Sequence, residues 1–255
     1  MNISGKVALI TGSAKRIGRF TAIELAKRGA RVAIHYRSSA ADADETLRLI
    51  RAEGGTGALF QADLSDLTAI QEMFREMDQQ FGGLDILVNS ASTFHIGTAD
   101  ETSGELWDEQ MNSNARAAFF VAQGAARLMM RGGNGRHGQQ GQQGHQGKII
   151  NIVDVAGDVI WPGYFAYSVS KAALIAVNRG LAKAYAPAIQ VNGIAPGPVL
   201  FPDYYTEEQK RSAIERTLLK RAGHPSDIVN AVVFLIENDY ITGEIIHVDG
   251  GRHIM

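Results

Sequence analysis

Short apolar runs alternate with longer stretches of helical periodicity along the chain. Val7-Ala8-Leu9-Ile10 predicts a buried strand, followed by a glycine-bearing turn and an amphipathic helix from Arg19 to Arg28. Arg31 to His35 predicts a second strand, with a helix from about Ala40 to Glu53. Gly57 to Gln61 predicts a third, with a helix from Leu67 to Phe81. Leu84 to Val88, Lys148 to Val153, Ala188 to Ile194 and Ile245 to Val248 continue the series. Strands apolar on both faces and separated by helices require right-handed crossovers, hence a parallel sheet. The expected fold is a single-domain, doubly wound α/β sheet over residues 1–255, with helices on both faces.

Two segments depart from this rhythm. Arg131 to Gly147 holds seven glycines, five glutamines and two histidines without an aliphatic residue, which predicts a flexible loop unable to bury a core. Its His137 and His145 lack an accompanying carboxylate or cysteine, so no metal site is read there. Pro198 to Arg216, with Tyr204, Tyr205, Glu207 and Glu208, is expected to form a lid over a substrate.

Composition narrows the function by exclusion. A net charge of -2 over 255 residues gives no electrostatic footprint for nucleic acid or an anionic membrane. The chain has no cysteine, which removes disulfides, thiolate catalysis and cysteine-ligated metal. Neither a signal peptide nor an apolar run of about 18 residues is read, so a cytoplasmic location is expected.

Chemistry enters at Thr11-Gly12-Ser13-Ala14-Lys15-Arg16-Ile17-Gly18, between the first strand and the first helix. Gly12 and Gly18 permit a tight turn and close approach of backbone to a pyrophosphate, whose charge the helix N-terminus meets. Arg16 adds a positive side chain where bare backbone would face the ligand, and is expected to contact a phosphate and the substrate together. An acidic residue after the second strand would select NAD by binding its ribose. His35-Tyr36-Arg37-Ser38 contains none, and Arg37 with Ser38 instead suits the 2′-phosphate of NADPH. Asp63-Leu64, after the third strand, is placed by the adenine or, for the aspartate, at a helix N-cap. Tyr167 and Lys171, four apart, share a helix face, and the ammonium is expected to make the phenol an effective acid. Asn114 lies on a helical stretch from about Trp107 to Gln123.

Taken together, Thr11 to Gly18, Asp63, Asn89-Ser90-Ala91, Asn114, Asp154, Tyr167 with Lys171, Pro196-Gly197 and Asp249-Gly250-Gly251 resemble the short-chain dehydrogenase/reductase family over nearly the whole chain. The resemblance implies that Asn114, Tyr167 and Lys171 form a proton relay. It also implies that Gly12, Arg16, Ile17, Gly18, His35 to Ser38, Asp63, Leu64, Asn89, Ser90, Ala91, Tyr167, Lys171, Pro196 and Gly197 hold the cofactor. Relatives are mostly tetramers, so a homotetramer is expected by analogy.

The departures from the family pattern are Arg16 for glycine, Ser92 for the glycine after Ala91, and Asp154 for serine. These, with His35 to Ser38 and Asn89 to Phe94, resemble the pteridine reductases and the similar bacterial dihydromonapterin reductases. An ionised carboxylate in contact with a developing alkoxide costs about 4 kcal/mol at an effective dielectric of 20, which disfavours a simple ketone. A carboxyl beside a tyrosine suits proton delivery to a ring nitrogen while hydride goes to the adjacent carbon. A flat pterin is expected to stack on Phe94, with Ser92, Arg16 and Tyr164 at its edges. NADPH-dependent reduction of a pterin or dihydropterin by Asp154, Tyr167, Lys171 and Asn114 is the resulting expectation. The alternatives are a carbonyl reductase of the same fold and a non-catalytic NADP sensor.

Overall fold

A computed structural model gives the architecture and describes residues 1–133 and 147–255. Among the described residues the seven strands are β1 (Val7–Ile10), β2 (Arg31–Tyr36), β3 (Thr56–Gln61), β4 (Ile86–Asn89), β5 (Gly147–Ile152), β6 (Ile189–Pro196) and β7 (Ile245–Val248). All pair in parallel, in the order β3-β2-β1-β4-β5-β6-β7. The chain winds outward from β1 to β3, then returns to place β4 on the other side of β1. That reversal opens a crevice beyond the carboxyl ends of β1 and β4, where ligands of such sheets bind.

Alternating side chains of the strands feed two cores. On one face Val7, Leu9, Leu87, Ile149 and Val191 pack against α3 (Leu67–Phe81) and α5 (Ala117–Gly133). On the other, Ala8, Ile10, Val32, Ile34, Val88 and Ile150 pack against α1 (Arg16–Lys27), α2 (Ala40–Ala52) and α8 (Pro225–Glu237). Helix α3 shows the local logic. Ile70, Met73, Phe74, Met77 and Phe81 form its buried stripe, Asp66 caps its start by accepting from Thr68 N, and Gly82 at φ 72° ends it in the left-handed region.

Several elements differ from the sequence expectation. Helix α1 begins at Arg16 rather than Arg19, because the glycine loop leads directly into the helix. The stretch around Asn114 is three pieces: α4 (Gly104–Met111), a π-helical turn at Asn112–Arg116, and α5. The expected flexible loop, with His137 and His145, lies outside the described residues except at its flanks, where Arg131 to Gly133 continue α5 and Gly147 starts β5. The expected lid contains α7 (Glu207–Glu215), opened by a capping box between Thr206 and Gln209. Among the described residues no helix is long and apolar enough to cross a membrane.

Candidate active site

A cavity of about 1060 Å³ opens over the carboxyl ends of the central strands. At one end lie Gly12, Arg16, Ile17, Gly18, His35 to Ser38, Asp63, Leu64, Ser90 and Ala91. At the other lie Ser92, Phe94, Asp154, Trp161, Tyr164, Tyr167, Lys171 and the segment after Pro196. The fold thus brings most of the expected site residues to one place.

The glycine loop is held tightly to the sheet. Thr11 Oγ1 accepts from Ser90 N at 2.9 Å and Ala91 N at 3.0 Å, tying the ends of β1 and β4 together. A Cβ on Gly12 would meet Ala91 Cα at 2.9 Å, and one on Gly18 would meet Gly12 O at 2.6 Å, so both positions need glycine for close packing. His35, 2% exposed, accepts from Gly12 N through Nδ1 at 3.0 Å and donates from Nε2 to Ala62 O at 3.1 Å. Burial pulls its pKa down to about 4, partly opposed by the Ala62 carbonyl and Asp63, so the imidazole is neutral. His35 therefore braces the loop from beneath, with both ring nitrogens engaged by backbone.

Arg16 lines the cavity and joins the glycine loop to the lid segment. Its backbone sits at φ 53°, a conformation a glycine would adopt without strain. Its guanidinium donates to the Leu200 and Phe201 carbonyl oxygens, so it bridges to the lid segment. Arg37 and Ser38 are exposed at the cavity mouth, with no acidic residue following β2. Asp63 is not a helix N-cap: its Oδ1 accepts from Ser65 N at 2.9 Å and Ser65 Oγ at 2.7 Å, closing a turn, and these bonds hold its pKa low. Pro196 ends β6 and Gly197 follows it on the cavity wall, where a Cβ on Gly197 would meet Asp249 Cα at 2.6 Å.

Two expected site residues have side chains turned away from the cavity. Asn89, 4% exposed, donates to Ala118 O at 3.2 Å and Asn151 Oδ1 at 2.9 Å, inside the sheet. Asn114, 1% exposed, accepts from Ser92 Oγ at 2.8 Å and Thr93 N at 2.9 Å and donates to Ser170 Oγ at 2.9 Å. Its side chain is saturated by the loop after β4 and by α6 (Phe165–Tyr185), so it takes no side-chain part in a relay. The same bond engages the hydroxyl expected of Ser92 at a substrate edge.

At the far end, a backbone bridge between Gly97 and Tyr164 draws the segment after β4 against the start of α6. Phe94 consequently stacks on Tyr164, 4.4 Å between ring centroids, and meets Tyr167 edge-on at 4.6 Å. Tyr164 is the N-cap residue of α6. Its hydroxyl lies 2.8 Å from that of Tyr205 in the lid segment, so its edge is already paired.

The Tyr167 hydroxyl donates to Asp154 Oδ2 at 2.8 Å, while Asp154 Oδ1 accepts from Ala156 N at 2.8 Å. Surrounding protein pushes the Asp154 pKa up, against the pull of the Ala156 N–H, Lys171, Tyr167 and Arg252. Tyr167 is pushed well above its ordinary value by burial and by the carboxylate. That corrects the expectation of a phenol acidified by its neighbour. Lys171 Nζ donates to Ile152 O at 3.1 Å and stands 5.6 Å from the Tyr167 ring centroid, and burial lowers its pKa to about 8. Two side chains not singled out in the sequence complete this end: Trp161 and Arg252, whose guanidinium lies 4.5 Å above the indole.

A doubly wound sheet with a glycine-lined crevice, a tyrosine and lysine one helical turn apart, and an adjoining cavity defines a nicotinamide-nucleotide-dependent oxidoreductase. The chain belongs to the short-chain dehydrogenase/reductase family: residues 12–253 match the family model described as enoyl-(acyl carrier protein) reductase. It is 33% identical over 254 residues to a 3-oxoacyl-[acyl-carrier-protein] reductase, FabG, of Staphylococcus aureus, covering 98% of each chain. A dehydrogenase/reductase from Sinorhizobium meliloti is 35% identical, with TM-score 0.87 over 98% of this chain and 97% of the other. FolM alternative dihydrofolate reductase 1 from Brucella canis, solved with NADP, is 29% identical, with TM-score 0.88 over 100% of this chain and 96% of the other.

Proposed function

We propose that the protein is an NADPH-dependent reductase of a pterin or dihydropterin. The observation that carries this reading is the Tyr167–Asp154 hydrogen bond at the floor of an aromatic-walled cavity. A carboxyl whose pKa is raised by burial is a proton reservoir, and it sits where a carbonyl reductase gains more from a neutral hydroxyl donor.

The glycine loop, the N-terminal turn of α1 and the cavity floor fit a dinucleotide, and Arg37 with Ser38 suits a 2′-phosphate. Such a cofactor supplies hydride to a ring carbon. With a ring nitrogen to receive it, the phenolic hydrogen turns from Asp154 to that nitrogen, and protonated Asp154 then donates to Tyr167 Oη and replaces the proton as it leaves. Lys171 then faces an ionised Asp154 and stabilises that charge until water restores the proton. Phe94, with one face on Tyr164, presents its other face for stacking. The segment 198–216, pinned by Arg16 and Tyr164, serves as the lid.

The NADP-bound FolM relative supports both the cofactor and the ring class. The 3-oxoacyl reductase relative favours a second reading, NADPH-dependent carbonyl reduction in the same cavity. NADPH oxidation measured against dihydrobiopterin, dihydromonapterin, dihydrofolate and a panel of ketones separates the two. Activity confined to ketones rejects the pterin reading. Tyr167→Phe should abolish most turnover and leave NADPH binding nearly intact.

A further inference from the structure

Arg252 begins a short 3₁₀ turn at the C-terminus (Arg252–Ile254) and lines the same cavity as Asp154 and Tyr167. Its guanidinium lies over Trp161 at 4.5 Å, a contact with the ring face that leaves its N–H fork available. Among the described residues that fork donates no hydrogen bond and joins no ion pair. The nearby carboxylates are engaged elsewhere. Asp249 accepts from Gly251 N at 2.9 Å, His253 N at 2.8 Å and His253 Nδ1 at 2.7 Å. Asp154 accepts from Ala156 N and Tyr167, each at 2.8 Å.

A second cation, Arg216, lines the same cavity. Burial works against the charge on Arg252, the field of Asp154 favours it, and that of Arg216 opposes it. Glu208 also lines the cavity, but it is solvent-exposed in the first turn of α7. Two guanidinium groups lining one cavity, Arg252 half-buried over an indole with its donors unpaired and Arg216 exposed at the rim, form a recognition element for an incoming anion. We propose that Arg252, backed by Trp161 and joined by Arg216, receives an anionic group of the substrate, a carboxylate or a phosphate, so that the cavity selects acid-bearing ring substrates. The nature of the ring rests on the pterin reading; the anion site rests on Arg252 and its surroundings.

The two are separable by binding. The chain holds two tryptophans, so in a Trp107→Phe background Trp161 alone reports on the site. The protein with NADP⁺ is titrated with benzoate, phenyl phosphate and benzamide, following indole emission. At least one anion should bind tenfold or more tightly than the isosteric neutral amide, and the tighter of the two assigns carboxylate or phosphate. Arg252→Met should erase that preference while benzamide binding stays within twofold. Arg252→Lys, which keeps the charge and loses the fork, should retain part of it. Pterin-6-carboxylate and 6-hydroxymethylpterin should repeat the pattern. Should neither pterin bind while the benzoate or phenyl phosphate preference persists, the pterin reading fails and the anion site stands. Equal binding of all three small probes to the wild type, or a preference that survives in Arg252→Met, overturns the proposal. If Arg252→Met does not fold, the wild-type preference and the Arg252→Lys titration decide it.

Discussion

Tyr167 donates its phenolic hydrogen to Asp154 at 2.8 Å, so the two groups act as one proton-carrying unit. Whatever perturbs the carboxyl perturbs the phenol. Asp154→Ser should lower pterin turnover by roughly 10²-fold, the loss associated with removing a positioned acid-base group. The same change keeps a hydroxyl donor beside a developing alkoxide, so ketone reduction should hold steady or rise. Parallel steady-state assays check this, and movement of both activities in the same direction counts against the assignment.

Because burial raises the Asp154 pKa, its proton persists to higher pH than on an ordinary carboxyl and leaves as pH rises through the shifted value. Pterin kcat should therefore fall on the alkaline side, with a further loss as Lys171 sheds its charge above about 8. In Asp154→Ser the step that belongs to the carboxyl should vanish from the pH–rate profile, leaving the one near 8. A profile identical to that of the wild type would mean that another group supplies the proton.

His35 gives a stability prediction of definite sign. Its pKa is about 4 when folded and near 6.5 when unfolded, so between those values the unfolded chain binds the extra proton. The stability present above pH 6.5 is lost as pH falls towards 4, by roughly 3 kcal/mol at 1.36 kcal/mol per unit. Urea midpoints at pH 7 and 4.5 should converge in His35→Gln relative to the wild type. No reduction in that pH dependence would show that other groups govern acid unfolding.

Arg37→Asp should invert or abolish a preference for NADPH over NADH, since it puts a carboxylate where a 2′-phosphate is expected. Ratios of kcat/KM for the two cofactors measure it. Equal use of both by the wild type would remove the role given to Arg37 and Ser38.

Arg16→Gly relieves a backbone at φ 53° and deletes the bridge to Leu200 and Phe201. A left-handed conformation costs a non-glycine residue about 1–2 kcal/mol, comparable with the hydrogen bonds lost, so net stability should change little. Faster proteolysis within 198–216 and a higher substrate KM are expected, with NADPH affinity changed less than KM. Unaltered cleavage would show that the lid is held by Tyr164 and Tyr205 alone.

Much of the fold was legible because the pattern was unambiguous. β1, β7 and α3 fall where periodicity put them, with Asp66 and Gly82 marking the ends of α3. Spacing also brought Tyr167, Lys171, Asp154 and the glycine loop to one cavity. What it missed depends on neighbours remote in sequence. Nothing local distinguishes Asn89, buried against Asn151, from Ser90 and Ala91, which face the cavity. Arg252 resembles a solvated C-terminal arginine until the chain after β7 brings it over Trp161. The π-helical turn at Asn114 and the raised pKa of Tyr167 arise from packing, which periodicity does not encode.

The buried amides behind the site have a bearing on how the sheet assembles. Asn89 and Asn151 lie opposite each other where β4 meets β5, and Asn151 Nδ2 donates onward to Asn178 Oδ1 at 2.9 Å on α6. Aliphatic strands of similar width offer little to distinguish one alignment from the next. A slip of one residue would set these amides against isoleucine and valine, leaving polar groups unmatched in a dry interior at about 1–3 kcal/mol apiece. The three asparagines thus act as a proofreading key for strand alignment. It certifies the placement of the crevice before any ligand arrives.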